Sequence, residues 1–154
     1  MEDFFPELPA ESSEAGIVFS FADINEPDFD FNSLPAWISN VISHHQCTLG
    51  SLSYIFCSDP YLHRLNVEYL DHDTLTDIIT FPYADPPHVS GDLYISLDRV
   101  ADNAQDRDLT FEQELRRVVI HGVLHLCGYG DKSPEEAVRM RKLEDEALAM
   151  LASD

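Results

Sequence analysis

The sequence has few basic residues. Nine lysines and arginines stand against 29 aspartates and glutamates, which gives a net charge of −20 over 154 residues. A negative field of this size repels polyanions at long range, and the chain lacks the basic footprint that most nucleic-acid-binding proteins carry. Any contact with a phosphate group must therefore be local.

Long apolar runs are also lacking. No segment approaches the ~20 apolar residues that a membrane-spanning helix needs, so no membrane partner is expected. The opening residues, MEDFFP, have neither the basic start nor the apolar stretch of a secretory signal. We therefore expect a cytoplasmic protein that keeps residues 1–14 as an acidic, loosely ordered leader.

Cysteine is scarce. Cys47, Cys57 and Cys127 are odd in number and form no Cys-x-x-Cys pair, so a disulfide framework is not expected. We expect three reduced and mostly buried thiols. Cys127 follows His125 by two residues and so points about 200° around a helix from it, which favours packing over metal binding.

Hydrophobic periodicity predicts a single α+β domain over residues 15–154, with a small sheet covered by helices. Short apolar or β-branched runs indicate strands, and longer amphipathic stretches with capping residues indicate helices. The predicted strands cover 16–21, 50–57, 76–81 and 91–97. The predicted helices cover about 33–44, 59–69 and 98–105, and two more begin after Thr110 and Ser133.

The most informative segment is the run from His121 to Asp131. His121 and His125 lie four residues apart, so on a helix they face the same side and can bind one ion. Gly128 can take the left-handed conformation that ends a helix and brings Asp131 to the same point. Two nitrogens and one oxygen leave a fourth position open, which is typical of catalytic zinc sites. The pattern predicts metal-assisted hydrolysis.

The alternative for this segment is a pair of surface or core histidines without a ligand. The apolar run Val118-Val119-Ile120 places both histidines at the end of a buried helix, where unpaired imidazoles would be costly. The glycine turn and the following aspartate also favour the metal site. One ion at the end of a buried helix is therefore the preferred interpretation.

Arg117 lies one turn before His121 on the same helix face. A guanidinium at this position can bind a phosphate with two hydrogen bonds and offset the negative net charge locally. The alternative is an ion pair or hydrogen bond within the helix to Glu114 or Gln113. The sequence leaves both interpretations open.

Gly122 occupies the position at which a His-Glu-x-x-His protease keeps its general base. A protease-like hydrolase is therefore disfavoured, and a glycine there would let a polymer backbone approach the ion. Asp77 and Asp92 are the acids that strands are expected to carry to the edge of a cleft, as a base or substrate orienter. For Asp77, a turn or capping role is the alternative.

Three blocks of sequence resemble the bacterial YbeY endoribonucleases, in matching order over about residues 50–150. The blocks are His121-Gly122-x-Leu124-His125-Leu126-x-Gly128-Tyr129, Leu65-Asn66-x-x-Tyr69 with Thr76-Asp77-Ile78-Ile79-Thr80-Phe81-Pro82, and Gly91-Asp92-Leu93. The resemblance implies a mixed sheet, a zinc ion held by three side chains, and cleavage of single-stranded RNA. It also implies a role in ribosomal RNA maturation and ribosome quality control, with ribosomal particles as partners.

Two positions depart from the family. Its histidine block generally ends in Gly-Tyr-Asp-His with the last histidine as third ligand, whereas this chain has Gly130-Asp131. Aspartate is an accepted zinc ligand but a harder one, so other divalent ions become possible. The family also generally has an arginine directly after the tyrosine of its Leu-Asn block, and here that residue is Leu70.

We therefore expect a metal-dependent endoribonuclease in which His121, His125 and Asp131 bind one catalytic zinc ion. Arg117 and Asp77 are the expected catalytic residues. The main rival is a non-catalytic ribosome-assembly factor with a structural metal, whose acidic surface contacts basic ribosomal proteins. A metalloprotease-like hydrolase is the third possibility.

Overall fold

A computed structural model describes residues 16–70 and 76–152 of the chain. The predicted leader, residues 1–14, lies outside the described residues. The described strands are β1 (Ile17–Phe21), β2 (Thr48–Cys57), β3 (Ile78–Pro82) and β4 (His88–Ser96). The described helices are α1 (Leu34–His44), α2 (Asp59–Leu70), α3 (Leu97–Asp106), α4 (Phe111–Leu126) and α5 (Pro134–Ala152).

The four described strands form one mixed sheet in the order β1-β2-β4-β3. β1, β2 and β4 are parallel, which requires crossover connections, and helices α1 and α2 lie in those connections. β3 runs antiparallel to β4, with Ile78 opposite Ile95. The predicted α+β class, with a mixed sheet covered by helices, is therefore confirmed.

The alternation of side chains along β2 divides the core between the two faces of the sheet. Leu52, Tyr54 and Phe56 belong to the larger cluster, which includes buried residues of α1, α4 and α5. Ile55 and Cys57 belong to a smaller cluster against α2. Helix α4, which carries the two histidines, therefore lies over one face of the sheet, while α2 lies over the other.

Several elements extend beyond their predicted ends. β2 begins at Thr48 and β4 at His88, because these two residues are partners in the parallel ladder between the strands. The sequence around them has little strand character, so pairing rather than local preference extends both strands. Leu97 belongs to α3 instead of the preceding strand, since the hydroxyl of Ser96 accepts a hydrogen bond from the Arg99 N–H and caps the helix.

The three cysteines are free: Cys57 and Cys127 are buried and Cys47 is half-buried. Burial of Cys127 agrees with the packing role predicted for it. Within 16–70 and 76–152, no helix combines the length and the apolar character needed to cross a membrane.

Candidate metal centre and cleft

Helix α4 holds two histidines side by side on its exposed flank. The helix begins at the predicted capping box, in which the Thr110 hydroxyl accepts from the Gln113 N–H at 3.0 Å and the Gln113 side chain accepts from the Thr110 N–H at 2.9 Å. His121 and His125 are 22% and 30% exposed. Their ring centroids lie 4.6 Å apart, as expected for residues one turn apart.

The chain reverses at Gly128 and returns to the histidines. Gly128 has a φ of +111°, in the region that favours glycine, and its N–H donates to the carbonyl of His125 at 2.9 Å. After this turn, Oδ2 of Asp131 lies 3.4 Å from Nε2 of His121 and 3.3 Å from Nε2 of His125. The structure thus brings together the three side chains that the spacing predicted.

The three donor atoms fit a single divalent ion. All of them lie within 4.8 Å of one another. Tetrahedral bonds of about 2.0–2.1 Å to zinc put neighbouring nitrogen and oxygen donors roughly 3.3–3.4 Å apart, which is the separation seen here between Asp131 and each histidine. The donor set suits zinc, and its carboxylate also suits harder divalent ions.

The carboxylate of Glu144, on α5, lies behind His121. Oε2 of Glu144 is 2.6 Å from Nδ1 of His121, and Arg117 donates from Nη1 to Oε1 of Glu144 at 2.9 Å. Burial opposes the charged form of His121, but the hydrogen bond to Glu144 and its negative charge outweigh burial and raise the pKa of His121. Burial also acts against ionised Glu144, yet its contacts with His121 and Arg117 lower its pKa.

A cleft of about 680 Å³ opens beside the three donor atoms. Asp77, in the segment before β3, lies in the wall of this cleft. The side chain of Asn103 donates a hydrogen bond to Oδ2 of Asp77 at 3.4 Å. Burial raises the pKa of Asp77, and the nearby His121 partly offsets this shift. A half-buried acid with a raised pKa, next to a candidate metal centre, is suited to exchanging protons.

A family model described as Endoribonuclease YbeY matches residues 22–152 of the chain. The chain belongs to the YbeY endoribonuclease family. It is 54% identical over 114 residues to Endoribonuclease YbeY of Flavobacterium johnsoniae, covering 74% of this chain and 82% of the relative. It is 43% identical over 134 residues to Endoribonuclease YbeY of Bacteroides thetaiotaomicron, covering 87% and 98%.

The YbeY fold is also seen in a solved relative. The solution structure of TM1509 from Thermotoga maritima superposes with a TM-score of 0.62 at 28% identity, covering 89% of this chain and 92% of that one. The YbeY family is one of hydrolytic nucleases, which agrees with the class of enzyme that the histidine motif and the resemblance predicted.

Two of the three YbeY blocks line the same cleft. Asn66 and Leu70 of α2 face it together with Thr76–Thr80, and the histidine block supplies its floor. Leu70, at the position where the family generally has arginine, is 39% exposed. Apart from the two histidines, the basic residue among the described lining residues is Lys132, so the cleft has no arginine and a single lysine among them.

The third YbeY block belongs to the sheet and not to the cleft. Asp92 is not among the described residues that line the cleft, and it accepts a 2.7 Å hydrogen bond from the hydroxyl of Tyr83. Of the two acids that were expected at a cleft edge, the structure therefore brings only Asp77 to the cleft that contains His121, His125 and Asp131. Leu93 of the same block packs under α4.

Gly122 has a different role from the one expected. It faces the sheet, and a Cβ atom there would lie 2.4 Å from Cδ2 of Leu93 and 2.8 Å from Cδ1 of Ile78. The interpretation that this glycine admits a substrate backbone to the ion is therefore wrong. The sheet fills the space that a glutamate of a His-Glu-x-x-His protease would need, which also argues against a protease-like site.

Arg117 also forms contacts that the sequence did not predict. Neither Glu114 nor Gln113 is its partner, since its guanidinium binds Glu144 and, from Nη2 at 3.2 Å, Asp145. Glu114 is 1% exposed and pairs instead with Arg107 at 3.1 Å. Arg117 lines a polar pocket of about 230 Å³ beside His121. That its guanidinium binds a phosphate group of the substrate stays a prediction.

Sequence reasoning missed Glu144. The residue lies 23 positions after His121, on a helix whose predicted apolar stripe includes Met140 and Ala147. Glu144 falls on that stripe and is 6% exposed. An acid on the buried face of an amphipathic helix needs a partner, and this was the available signal.

Proposed function

We propose that this protein is a zinc-dependent endoribonuclease that cuts single-stranded RNA in the cytoplasm and acts in ribosomal RNA maturation and ribosome quality control. The observation that carries the proposal is the convergence of His121, His125 and Asp131 at the floor of a cleft, with donor separations that fit one ion. Membership of the YbeY family supports RNA as the substrate.

His121, His125 and Asp131 are the side chains that would hold the ion. When bound, a divalent ion such as Zn²⁺ supplies Lewis acidity to a phosphate oxygen and makes water a usable nucleophile at neutral pH. The carboxylate of Asp131 adds a negative charge to the ligand set, so Mn²⁺ and other harder ions are alternative occupants.

Asp77 is the proposed proton-transfer group. Its carboxyl lies in the cleft wall with His121 and is half-buried, and this burial raises its pKa. In this role it takes a proton from the attacking water and returns one to the leaving sugar oxygen as the phosphodiester bond breaks. Asn103, which donates to Oδ2, would keep the carboxyl oriented toward the cleft.

The cleft fits an extended strand better than a duplex. It is bordered by α2 and the Thr76–Thr80 segment, and its volume of about 680 Å³ is in the range of small-ligand pockets. A paired helix presents its phosphates on a wide, rigid cylinder, whereas a single strand can bend one phosphate into such a cleft. Because the net charge is −20, RNA binding is expected to rely on local contacts within the cleft and not on long-range attraction.

A second candidate is a ribosome-assembly factor without catalytic activity. The observation that favours it is the low positive charge of the cleft, where Leu70 stands in place of the family arginine. In that case the metal would be structural, and the acidic surface would contact basic ribosomal proteins.

RNA cleavage by the purified protein separates the two candidates. The substrates are one end-labelled single strand and the same strand annealed to its complement. We expect cleavage of the single strand that a chelator abolishes and added Zn²⁺ restores. His121→Ala should lose cleavage, whereas His88→Ala, which removes an exposed histidine of β4, should keep it.

Two outcomes would contradict the proposal of a metal-dependent endoribonuclease. Cleavage that resists the chelator and persists in His121→Ala would exclude the proposed metal site. Absence of cleavage under every metal condition, together with co-sedimentation of the protein with ribosomal particles, would favour the assembly factor.

A further inference from the structure

The carboxylate of Glu144 connects two side chains of helix α4. Its Oε2 lies 2.6 Å from Nδ1 of His121, and its Oε1 accepts from Nη1 of Arg117 at 2.9 Å. Glu144 is 6% exposed, so water competes little with either contact. Each of its oxygen atoms thus has its own hydrogen-bond partner, with the exposed Arg141 also 3.6 Å from Oε1, and these contacts fix the plane of the carboxylate.

The contact with Glu144 determines which nitrogen of His121 is available to an ion. A neutral imidazole carries one proton, and a carboxylate at hydrogen-bond distance from Nδ1 keeps that proton on Nδ1. The lone pair is then on Nε2. That atom faces Oδ2 of Asp131 at 3.4 Å, where the proposed ligands converge.

The two histidines differ in this respect. Within 16–70 and 76–152, Nδ1 of His121 has a carboxylate partner, whereas none of these residues forms a hydrogen bond or ion pair with Nδ1 of His125. The ring of His121 therefore contacts a side chain of α5, through Glu144. The contact of the His125 ring with Asp131 is local, because Asp131 follows the turn at the end of the same helix.

We propose that Glu144 is a positioning residue of the metal centre, which fixes the tautomer and ring orientation of His121 while Arg117 holds the Glu144 carboxylate in place. The inference rests on the proposed role of His121 as a ligand. Carboxylates that orient a metal-binding histidine in this way typically contribute roughly 10- to 100-fold to metal affinity.

The chain offers a matched control for Glu144. Asp145 is the next residue of α5 and binds the same guanidinium, with Oδ1 3.2 Å from Nη2 of Arg117. Asp145 is 60% exposed and has no contact with His121 among the described residues. Asp145→Asn therefore weakens the support of Arg117 and removes the same charge, but leaves the histidine contact intact.

The test is the affinity of the purified protein for Zn²⁺, measured by competition with a chromophoric chelator. We expect Glu144→Ala to bind Zn²⁺ roughly 10- to 100-fold more weakly than the original protein. Glu144→Gln should lose less affinity, because its amide oxygen can still accept from Nδ1. Asp145→Asn should stay within about twofold of the original, since the exposed partner contributes little.

A second measurement reports the tautomer directly. Nitrogen NMR of the imidazole side chains in the zinc-loaded protein should show the proton of His121 on Nδ1. A proton on Nε2 would overturn the inference. It would equally be overturned by unchanged zinc affinity in both Glu144 variants, or by an equal loss in Asp145→Asn.

Different results would contradict the positioning role of Glu144 and the proposed nuclease function. If Glu144 only stabilises the fold, thermal denaturation of the zinc-free protein will shift while zinc affinity of the folded Glu144→Gln protein stays constant. If the protein is not a nuclease, RNA cleavage will be absent but the zinc affinities will still separate Glu144 from Asp145.

Discussion

Oδ2 of Asp131 lies 3.3 Å from Nε2 of His125, although the helix that carries His125 ends five residues before Asp131. The turn at Gly128 makes this contact possible.

Asp131→Ala removes one of three proposed ligands, so the zinc affinity of this variant should fall by more than the roughly 10- to 100-fold expected for an orienting residue. Asp28→Asn, an exposed acid elsewhere, is the control.

Asp131→His tests the departure from the family in the opposite direction. A neutral imidazole is softer than a carboxylate, so the variant should prefer Zn²⁺ over Mn²⁺ more strongly than the original protein does. The measurement is the ratio of the two affinities by competition titration. A ratio that does not change would mean that Asp131 is not a ligand.

Asp77→Asn should separate proton transfer from metal binding. The amide keeps the shape and the contact with Asn103 but cannot exchange a proton, so cleavage should fall by roughly 10²- to 10⁴-fold. Zinc affinity should not change. Asp92→Asn is the matched control, because Asp92 pairs with Tyr83 away from the cleft, and it should keep full activity. Equal losses in both variants would remove Asp77 from the proposed mechanism.

Leu70→Arg should strengthen RNA binding. Leu70 lines the cleft and is 39% exposed, so a guanidinium there can reach a phosphate of the bound strand. Each new phosphate contact steepens the dependence of log affinity on log salt by about 0.7 for a single strand. Val67→Arg, on the same helix, 42% exposed and not among the lining residues, adds the same charge as a control. Binding of RNA is measured by fluorescence anisotropy. If both variants gain the same affinity, the added positive charge explains the gain and the position of Leu70 in the cleft does not.

Gly122→Val should lower the thermal stability of the protein. Its side chain would overlap Leu93 and Ile78, which a Cβ atom alone would approach to 2.4 and 2.8 Å. Overpacking of this kind typically costs about 1–3 kcal/mol. Ala137→Val, at an exposed position of α5, introduces the same β-branched residue into a helix without the overlap. Calorimetry should show a clear loss for Gly122→Val and a small one for the control.

Glu114 should make stability depend on pH. Burial raises the pKa of this carboxyl group, and Arg107 and Arg117 only partly offset the shift. The native protein therefore holds this proton to a higher pH than the unfolded chain, so the free energy of unfolding falls as pH rises through the window above the ordinary pKa of 4.5. Glu114→Gln removes this titration, so its stability relative to that of the original protein should increase as the pH rises above 4.5.

Urea denaturation at several pH values measures the difference between the two proteins. The control is Glu112→Gln, two residues earlier on the exposed side of α4. If the stability of Glu114→Gln runs parallel to that of the original protein across this range, the burial of Glu114 does not govern its titration.

Local sequence patterns predicted most of the fold and the proximity of His121, His125 and Asp131. The capping box of Thr110, the four-residue spacing of His121 and His125, and the glycine at 128 act within a few residues of one another, so their geometry follows from helix parameters. Pairing between strands, such as Thr48 with His88, depends on the whole sheet, which is why the strand ends were predicted less well.

The contacts that the sequence did not reveal are tertiary. Arg117 has acidic neighbours on its own helix, yet it binds Glu144 and Asp145 on α5, because packing of α5 against α4 brings a buried carboxylate closer. Gly122 was assigned by analogy with a protease motif, whereas its environment is set by Leu93 of the sheet below. In both cases the partner lies on an element whose position only the folded chain specifies.

The indole of Trp37 has a practical consequence. Its Nε1–H donates to the carbonyl of Ala147 at 2.8 Å, which joins α1 to α5 within one turn of Glu144. Trp37 is the single tryptophan of the chain and is 2% exposed. Intrinsic fluorescence of the unlabelled protein is therefore expected to report the packing of α5 against α1, and unfolding of the Glu144 variants can be followed without any added dye.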